Sequence, residues 1–187
     1  MSDRTVLVAP ERLRGWTERF AARHGEVDTS RRGASVVLRA ADGAVATWDE
    51  TPAPPRFGIV LARRGGYAVG LVDGAELTRS KCGTRYVQGK TKAGGWSQQR
   101  YARRRANQAD GLIDACAAAV ERVLGPAGAV PVFGGGDRPM VPAVLARAAA
   151  VTTLQGRWLD VPEPRHAVLV QAVEQARAVT IGLNSLA

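Results

Sequence analysis

The chain has 187 residues, of which 45% are hydrophobic, and 26 basic against 17 acidic residues give it a formal net charge of +9. This length and apolar content predict a single domain over residues 1–187 with one buried core, and they exclude a disordered chain. The sequence has neither a long apolar run nor a signal-peptide pattern at its start, so we expect a cytoplasmic protein with no membrane partner.

The first half of the chain predicts one helix followed by a meander of strands. Leu13, Trp16 and Phe20 recur at helical spacing between Pro10 and Arg23. Runs of β-branched or alternating apolar residues then predict strands at 34–40, 44–50, 56–64, 67–74 and 75–81. The proline-rich stretch 51–55 interrupts this meander as a connector, because proline cannot donate a ladder hydrogen bond.

The second half predicts helices alternating with strands. An apolar stripe from Ala102 to Leu124 has helical period and stops before Gly125. A buried strand at 129–133 then precedes a glycine turn, with Asp137 and Pro139 expected to cap and open a helix to about residue 149. An extended run at 151–161 and a last helix over 168–179 follow. This order predicts an α/β (α+β) fold, with a mixed β-sheet covered by helices.

The positive charge is concentrated in one segment. Between residues 77 and 109 there is no acidic residue, and there are nine basic ones: Arg79, Lys81, Arg85, Lys90, Lys92, Arg100, Arg103, Arg104 and Arg105. The rest of the chain is balanced, with 17 basic and 17 acidic residues. Such concentration favours a polyanionic partner, of which nucleic acid is the commonest. The alternative is a solvated charged face.

Other candidate sites have weaker patterns. The strand, glycines and helix around 132–137 could bind a phosphate, but the third spaced glycine and the Lys-Ser/Thr pair are missing, which favours a plain turn. His24 and His166 are expected at the surface, and Cys82 and Cys116 as free thiols. A metal-dependent nuclease cluster is disfavoured because its candidate acids lie mostly in turns or at strand ends: Asp42, Asp49, Asp73 and Glu76. We therefore expect no cofactor and no metal.

A glycine-rich stretch precedes the long helix and predicts a mobile loop over about 83–98. Its glycines are Gly83, Gly89, Gly94 and Gly95, and no hydrophobic period organises the residues between them. Trp96 can stack on a base, and Ser97 can cap the helix. Gln98 and Gln99 follow directly. Because an amide does not titrate near neutral pH, a catalytic glutamine would position a water or stabilise charge rather than act as a base.

The motif GGWSQQRYARRRANQ resembles a segment of the eukaryotic and archaeal class I peptide release factors. There, a Gly-Gly-Gln tip precedes a serine, two residues, an Arg-Phe-Ala-Arg run and a long helix. Gly94, Gly95 and Ser97 match the tip, and residues 100–103 match the run. Trp96 takes the place of the catalytic glutamine, so the resemblance does not extend to an ordinary release factor.

A glutamine shifted downstream of the glycines makes the segment similar to the actinobacterial-type branch of Vms/ANKZF-like release factors. The resemblance implies a release-factor middle domain with ribonuclease H-like architecture. It also implies hydrolysis of peptidyl-tRNA on stalled ribosomes or large subunits, without a metal and by a protein expected to be a monomer. Gln98, or failing that Gln99, would be the catalytic amide beside Gly94 and Gly95. The rRNA- and tRNA-binding residues would be Lys90, Lys92, Trp96, Arg100, Arg103, Arg104 and Arg105.

Two further functions fit the same residues. The protein could be a non-catalytic rRNA- or tRNA-binding module of the ribosome. It could also hydrolyse free peptidyl-tRNA away from the ribosome.

Overall fold

The computed structural model describes residues 4–84, 96–150 and 152–187, with the backbone alone described at 96–107 and 152. The strands are β1 Arg4–Val8, β2 Val27–Arg32, β3 Ser35–Ala40, β4 Val45–Asp49, β5 Arg56–Arg63, β6 Gly66–Asp73, β7 Glu76–Thr84, β8 Val130–Gly136, β9 Thr152–Leu159 and β10 Val179–Leu183. The helices are α1 Leu13–His24, α2 Trp96–Leu124, α3 Met140–Arg147 and α4 His166–Arg177. A 3-10 turn, Pro10–Arg12, leads into α1.

The chain forms two compact units. The terminal unit comprises Met1–Ala53 and Arg177–Ala187, and the central unit comprises Pro54–Ala176. The boundary between them falls inside the proline-rich stretch that the sequence predicts as a connector. The expectation of a single release-factor-like domain over the whole chain stays a prediction.

The terminal unit is an antiparallel sheet with one helix. Its strand order is β1-β10-β4-β3-β2, so strands from both ends of the sequence pair at one side of the sheet. Phe20 of α1 is buried against Val36, Leu38 and Trp48 in the core of this unit. The β3–β4 turn contains Gly43 at φ +89°, a backbone conformation that favours glycine and agrees with the predicted hairpin.

The central unit confirms the prediction of a mixed sheet covered by helices. Its strand order is β7-β6-β5-β8-β9, with β5, β8 and β9 parallel and the other pairs antiparallel. Successive side chains of β6 point to opposite faces. Val69 joins the cluster beneath α2, whereas the neighbouring Gly70 lies close to Leu169 of α4. Helices therefore pack on both faces, which explains the continuous apolar runs in β5 and β6.

Three strands were absent from the sequence-based prediction, namely β1, β2 and β10. The β2 segment is polar and exposed over all but its first residue, so it lacks the apolar alternation that marks a half-buried strand. Two boundaries also differ from the prediction. β8 continues to Gly136 through the expected glycine turn, and the loop is bounded by β7 ending at Thr84 and α2 beginning at Trp96. Among the residues that the structure describes, no helix is long and apolar enough to cross a bilayer.

Candidate functional site

The glycine-rich segment leaves the central sheet at a defined edge. β7 ends at Thr84, which pairs with Gly66 of β6, and Gly66 also pairs with Arg63 at the end of β5. β8 runs parallel to β5 and ends at Gly136, opposite Ala62. The carboxyl ends of β5, β7 and β8 thus lie together, and we call this the carboxyl edge. In open α/β sheets, ligands bind outside the carboxyl ends of the strands.

Asp137 joins two strand ends at the carboxyl edge. Its backbone N–H donates to the Ala62 carbonyl at 2.8 Å, and its carboxylate accepts from the backbone N–H of Arg64 at 3.2 Å. The predicted role of Asp137 as a helix cap is wrong, because the residue before α3 is Pro139 and no side chain caps that helix. The carboxylate instead fixes the turn that follows β5.

The glycine-containing end of β8 is closely packed. A Cβ at Gly136 would overlap the Ala62 carbonyl, and Gly136 has φ +92°, so glycine is required there. The indole N–H of Trp158 donates to the Gly136 carbonyl at 3.2 Å. The Arg138 guanidinium lies 5.3 Å from the centre of the Trp158 ring, within the range of a cation–π contact. The three glycines therefore end a strand where the sequence predicted a turn, and their backbone is used for packing.

One cationic group at the carboxyl edge has an unsatisfied atom. The Nε of Arg63 is buried and has no hydrogen-bond partner in the described part of the chain. Arg63 stands beside Gly66, which pairs with the last residue of β7. Arg63 thus lies two strands away from Thr84, where the glycine-rich segment leaves the sheet.

The helix α2 has two parts with different surroundings. From Leu112 to Leu124 one side is buried in the core of the central unit, as the apolar stripe predicted. The Arg147 guanidinium of α3 links the two helices by donating to the carboxylates of Asp110 at 2.9 Å and Asp114 at 2.8 Å. The hydrogen bond to Asp110 is the main cause that raises the pKa of Arg147. These contacts fix the packed part of α2 from Asp110 onward.

The predicted site residues fall into two groups. Seven lie in the first turns of α2, where the backbone is helical: Trp96, Gln98, Gln99, Arg100, Arg103, Arg104 and Arg105. Four lie outside the described residues, namely Lys90, Lys92, Gly94 and Gly95. The helix places Gln98 and Gln99 within its first turn, directly after the two glycines in sequence. Their assignment as catalytic or RNA-binding residues stays a prediction.

His24 differs from its prediction as a surface histidine. Its side chain is only 9% exposed, and its Nδ1 lies 2.8 Å from Oδ2 of Asp42. The hydrogen bonds from the Ala44 backbone and from His24 lower the pKa of Asp42. No sequence spacing signals this pair, since 18 residues separate its members. His166 is exposed at the start of α4.

The acidic residues considered above for a metal-dependent nuclease site have other neighbours in the structure. Asp73 forms an ion pair with Arg56, and Glu76 lies across the β6–β7 turn from it. Asp42 and Asp49 belong to the terminal unit. Within residues 4–84, 96–150 and 152–187, no three His, Cys, Asp or Glu side chains come together as a metal site.

Both cysteines are free thiols, as predicted. Burial raises the pKa of the Cys116 thiol to about 12. Burial also raises the pKa of Cys82, and the charge of Lys81 partly opposes that shift. Neither thiol has the lowered pKa of a reactive nucleophile.

The family model described as Actinobacteria/chloroflexi VLRF1 release factor matches residues 55–182, which is more than half of the 187 residues. No curated protein matches the chain. The match begins where the central unit begins and includes the glycine-rich segment.

Proposed function

The chain belongs to the Actinobacteria/chloroflexi VLRF1 release factor family, and from this membership we propose that it hydrolyses the ester bond of peptidyl-tRNA on stalled ribosomes or large subunits. Membership supports a ribosome-related role in release. The finer proposal adds the substrate and the catalytic group. Gln98, with Gln99 as the alternative, would position the attacking water, and the cytoplasm would be the place of action.

The arrangement of α2 is the observation that carries this proposal. The helix has 29 residues, so its axis is about 44 Å long at 1.5 Å per residue. Leu112, the first buried side chain described in it, comes sixteen residues after Trp96, or about 24 Å along the axis. The described packing of α2 therefore begins well after its first turns, and we propose that these turns, with Gln98 and Gln99, reach the ester. This geometry suits an ester that lies deep in an RNA-walled cleft.

The charge of the described residues is consistent with an RNA-walled cleft. Arg79 and Lys81 are exposed on β7, the edge strand that leads into the glycine-rich segment. With the basic residues at 85–105 they form a continuous sequence of cations without an acid. Such a segment would neutralise rRNA or tRNA phosphates, with an affinity that falls as salt rises.

The proposed reaction is the hydrolysis of an ester by one water molecule. The water oxygen attacks the ester carbonyl carbon, and the bond from that carbon to the ribose oxygen of the terminal adenosine breaks. One water proton ends on the ribose hydroxyl, and the peptide leaves as a carboxylic acid that ionises in solvent. The Gln98 amide would orient the water, and backbone N–H groups of the glycine turn would stabilise the developing oxyanion.

The decisive experiment measures release of a labelled nascent chain from P-site peptidyl-tRNA on purified large subunits. Gln98→Ala and Gln99→Ala are compared with the wild type, and Gln171→Ala on the exposed face of α4 serves as the matched control. We expect one of the first two variants to lose release by a factor of about 100 or more while still pelleting with the subunits. Equal release by the wild type and both variants would refute the catalytic assignment.

The non-catalytic RNA-binding module is supported by a separate observation. Trp96 stands where release factors of the resembled class carry their catalytic glutamine. Salt-sensitive pelleting of the wild type with large subunits, combined with no peptide release, would favour this function. Release from isolated peptidyl-tRNA alone would favour a hydrolase that acts away from the ribosome.

A further inference from the structure

A small cavity lies in the terminal unit, between α1 and the strands β1 and β10. Its volume is about 150 Å³, below the roughly 300–1,000 Å³ of pockets that enclose a drug-sized ligand. The cavity is lined by Arg4, Val6, Trp16, Arg19, Phe20, Arg23, His24, Leu183 and Ala187. Its size suits one chemical group of a larger molecule.

The lining is cationic. It includes three arginines and no acidic side chain. Three other arginines of the terminal unit are paired with carboxylates, in Arg14–Glu18, Arg31–Glu50 and Arg177–Glu11. Within the described residues, the arginines of the cavity form no such ion pair. The charges of Arg19 and Arg23 are therefore available to an anionic ligand, whereas Arg4 already donates to the main-chain oxygen of Ala187.

The three arginines are placed by local geometry. Arg19 and Arg23 are exposed and lie one helical turn apart on α1, so both reach the same side of the helix. Gly15 leaves room for Arg19, whose Nη1 lies 3.3 Å from where a Cβ would stand. Arg4 donates to the main-chain oxygen of Ala187 at 3.0 Å, which fixes its guanidinium at the rim of the cavity.

A row of rings forms one wall of the cavity. Trp16 stacks on Phe20 with centroids 5.5 Å apart, and Phe20 lies 4.7 Å from the His24 ring. The bond between His24 and Asp42 holds the last ring in place. The wall is thus rigid, which lowers the entropic cost of binding.

We propose that this cavity binds a phosphate group of single-stranded RNA and is a second RNA contact of the protein. Arginine forms paired hydrogen bonds with phosphate oxygens, and one phosphate with part of its ribose suits a cavity of this size. The choice of RNA among polyanions rests on the ribosome-related role of the family. All the residues that line the cavity lie outside the matched segment 55–182, so the family match does not account for it.

The test measures binding of a short fluorescein-labelled single-stranded RNA by anisotropy at several salt concentrations. The variant Arg19→Gln/Arg23→Gln is compared with Arg12→Gln/Arg39→Gln. The second pair lies in the same unit, is also exposed, lines no part of the cavity and removes the same charge. We expect the dissociation constant of the cavity variant to rise about tenfold and its salt slope to fall by about 1.4. We expect the control variant to stay close to the wild type.

Several outcomes would overturn the proposal. Equal weakening of both variants would show a general effect of charge. Unchanged RNA binding with lost binding to an anionic vesicle or to a phosphopeptide would assign the cavity to another ligand. The variant Arg19→Lys/Arg23→Lys keeps the charge, and we expect it to recover only part of the affinity because lysine cannot form the paired bonds.

The outcome for the cavity can be separated from that for catalysis. Gln98→Ala should leave the salt slope unchanged and lose release, whereas the cavity variant should change the slope. If the wild type releases no peptide, but its RNA binding has a steeper salt slope than that of the cavity variant, the proposed hydrolysis is refuted and the RNA contact is retained. If the wild type releases peptide, but the salt slopes of the wild type and the cavity variant are equal, the RNA contact is refuted and the hydrolysis is retained.

Discussion

Gly83 of β7 lies directly opposite Tyr67 of β6, so close that a Cβ on the glycine would stand 2.5 Å from Cζ of the tyrosine ring. The ring is buried in the core of the central unit and cannot move aside freely. Glycine is therefore required at this residue of β7, where the glycine-rich segment begins, and an aromatic side chain covers it from the neighbouring strand. This contact fixes where the segment leaves the sheet.

We predict that Gly83→Ala displaces the end of β7 and lowers peptide release. Overpacking of this kind destabilises a core by about 1–3 kcal/mol. The matched control is Gly156→Ala in β9, where a Cβ would meet no atom within 4 Å. Urea unfolding measures the stability of both variants, and the release assay is run on folded protein. In a double-mutant cycle, Tyr67→Ala should offset part of the cost. A Gly83→Ala protein as stable and active as the control would contradict the close contact.

We predict that the C-terminal half of α2 is essential to the fold of the central unit. Val120→Ala removes two methyl groups from a fully buried position and should cost about 2 kcal/mol of unfolding free energy. Val170→Ala makes the same change on α4, where the side chain is 44% exposed, and should cost under about 0.5 kcal/mol. Similar urea midpoints for the two variants would be incompatible with the packing described for α2.

We predict that stability falls at high pH because of Cys116. Its thiol has a pKa of about 12 in the fold, whereas an unfolded thiol ionises near 8.5. A raised folded pKa means that the contribution is complete below the unfolded pKa and is lost as pH rises toward 12. The slope due to this group reaches about 1.4 kcal/mol per pH unit.

Urea unfolding between pH 7 and 10.5 tests this prediction by comparing the wild type with Cys116→Ala and Cys82→Ala. The first variant should have the shallower pH dependence, since Cys82 is only half-buried and the charge of Lys81 opposes the rise in its pKa. Iodoacetamide should modify Cys116 only after unfolding. Rapid alkylation of Cys116 in the native protein would contradict its burial.

We predict that Arg103 and Arg104 contribute to ribosome binding. The variant Arg103→Glu/Arg104→Glu should pellet poorly with large subunits, because two phosphate contacts become repulsions. Arg12→Glu/Arg39→Glu makes the same charge change at exposed positions of the terminal unit. Both are measured across a salt series. If the two variants pellet with the large subunits to the same extent, Arg103 and Arg104 of α2 do not bind RNA.

The comparison of sequence and structure separates two kinds of information. Periodicity alone indicated α2, its buried stripe and the continuous strands β5 and β6, because these patterns arise from neighbours within one element. Composition likewise located the basic segment, and its motif indicated the release-factor family that the family match confirms. The roles of Gln98 and Gln99 remain predictions, since they depend on side chains outside the described set.

Only the tertiary structure decided how distant segments meet. β1 and β10 pair although about 175 residues separate them. The polar strand β2 has no apolar alternation from which the sequence could predict it. The His24–Asp42 pair, the contact of Gly83 with Tyr67 and the arginines around the terminal cavity depend in the same way on strand register and helix placement. A local pattern records which face of an element is buried, but the partner that buries it is fixed by the pairing of strands across the whole chain.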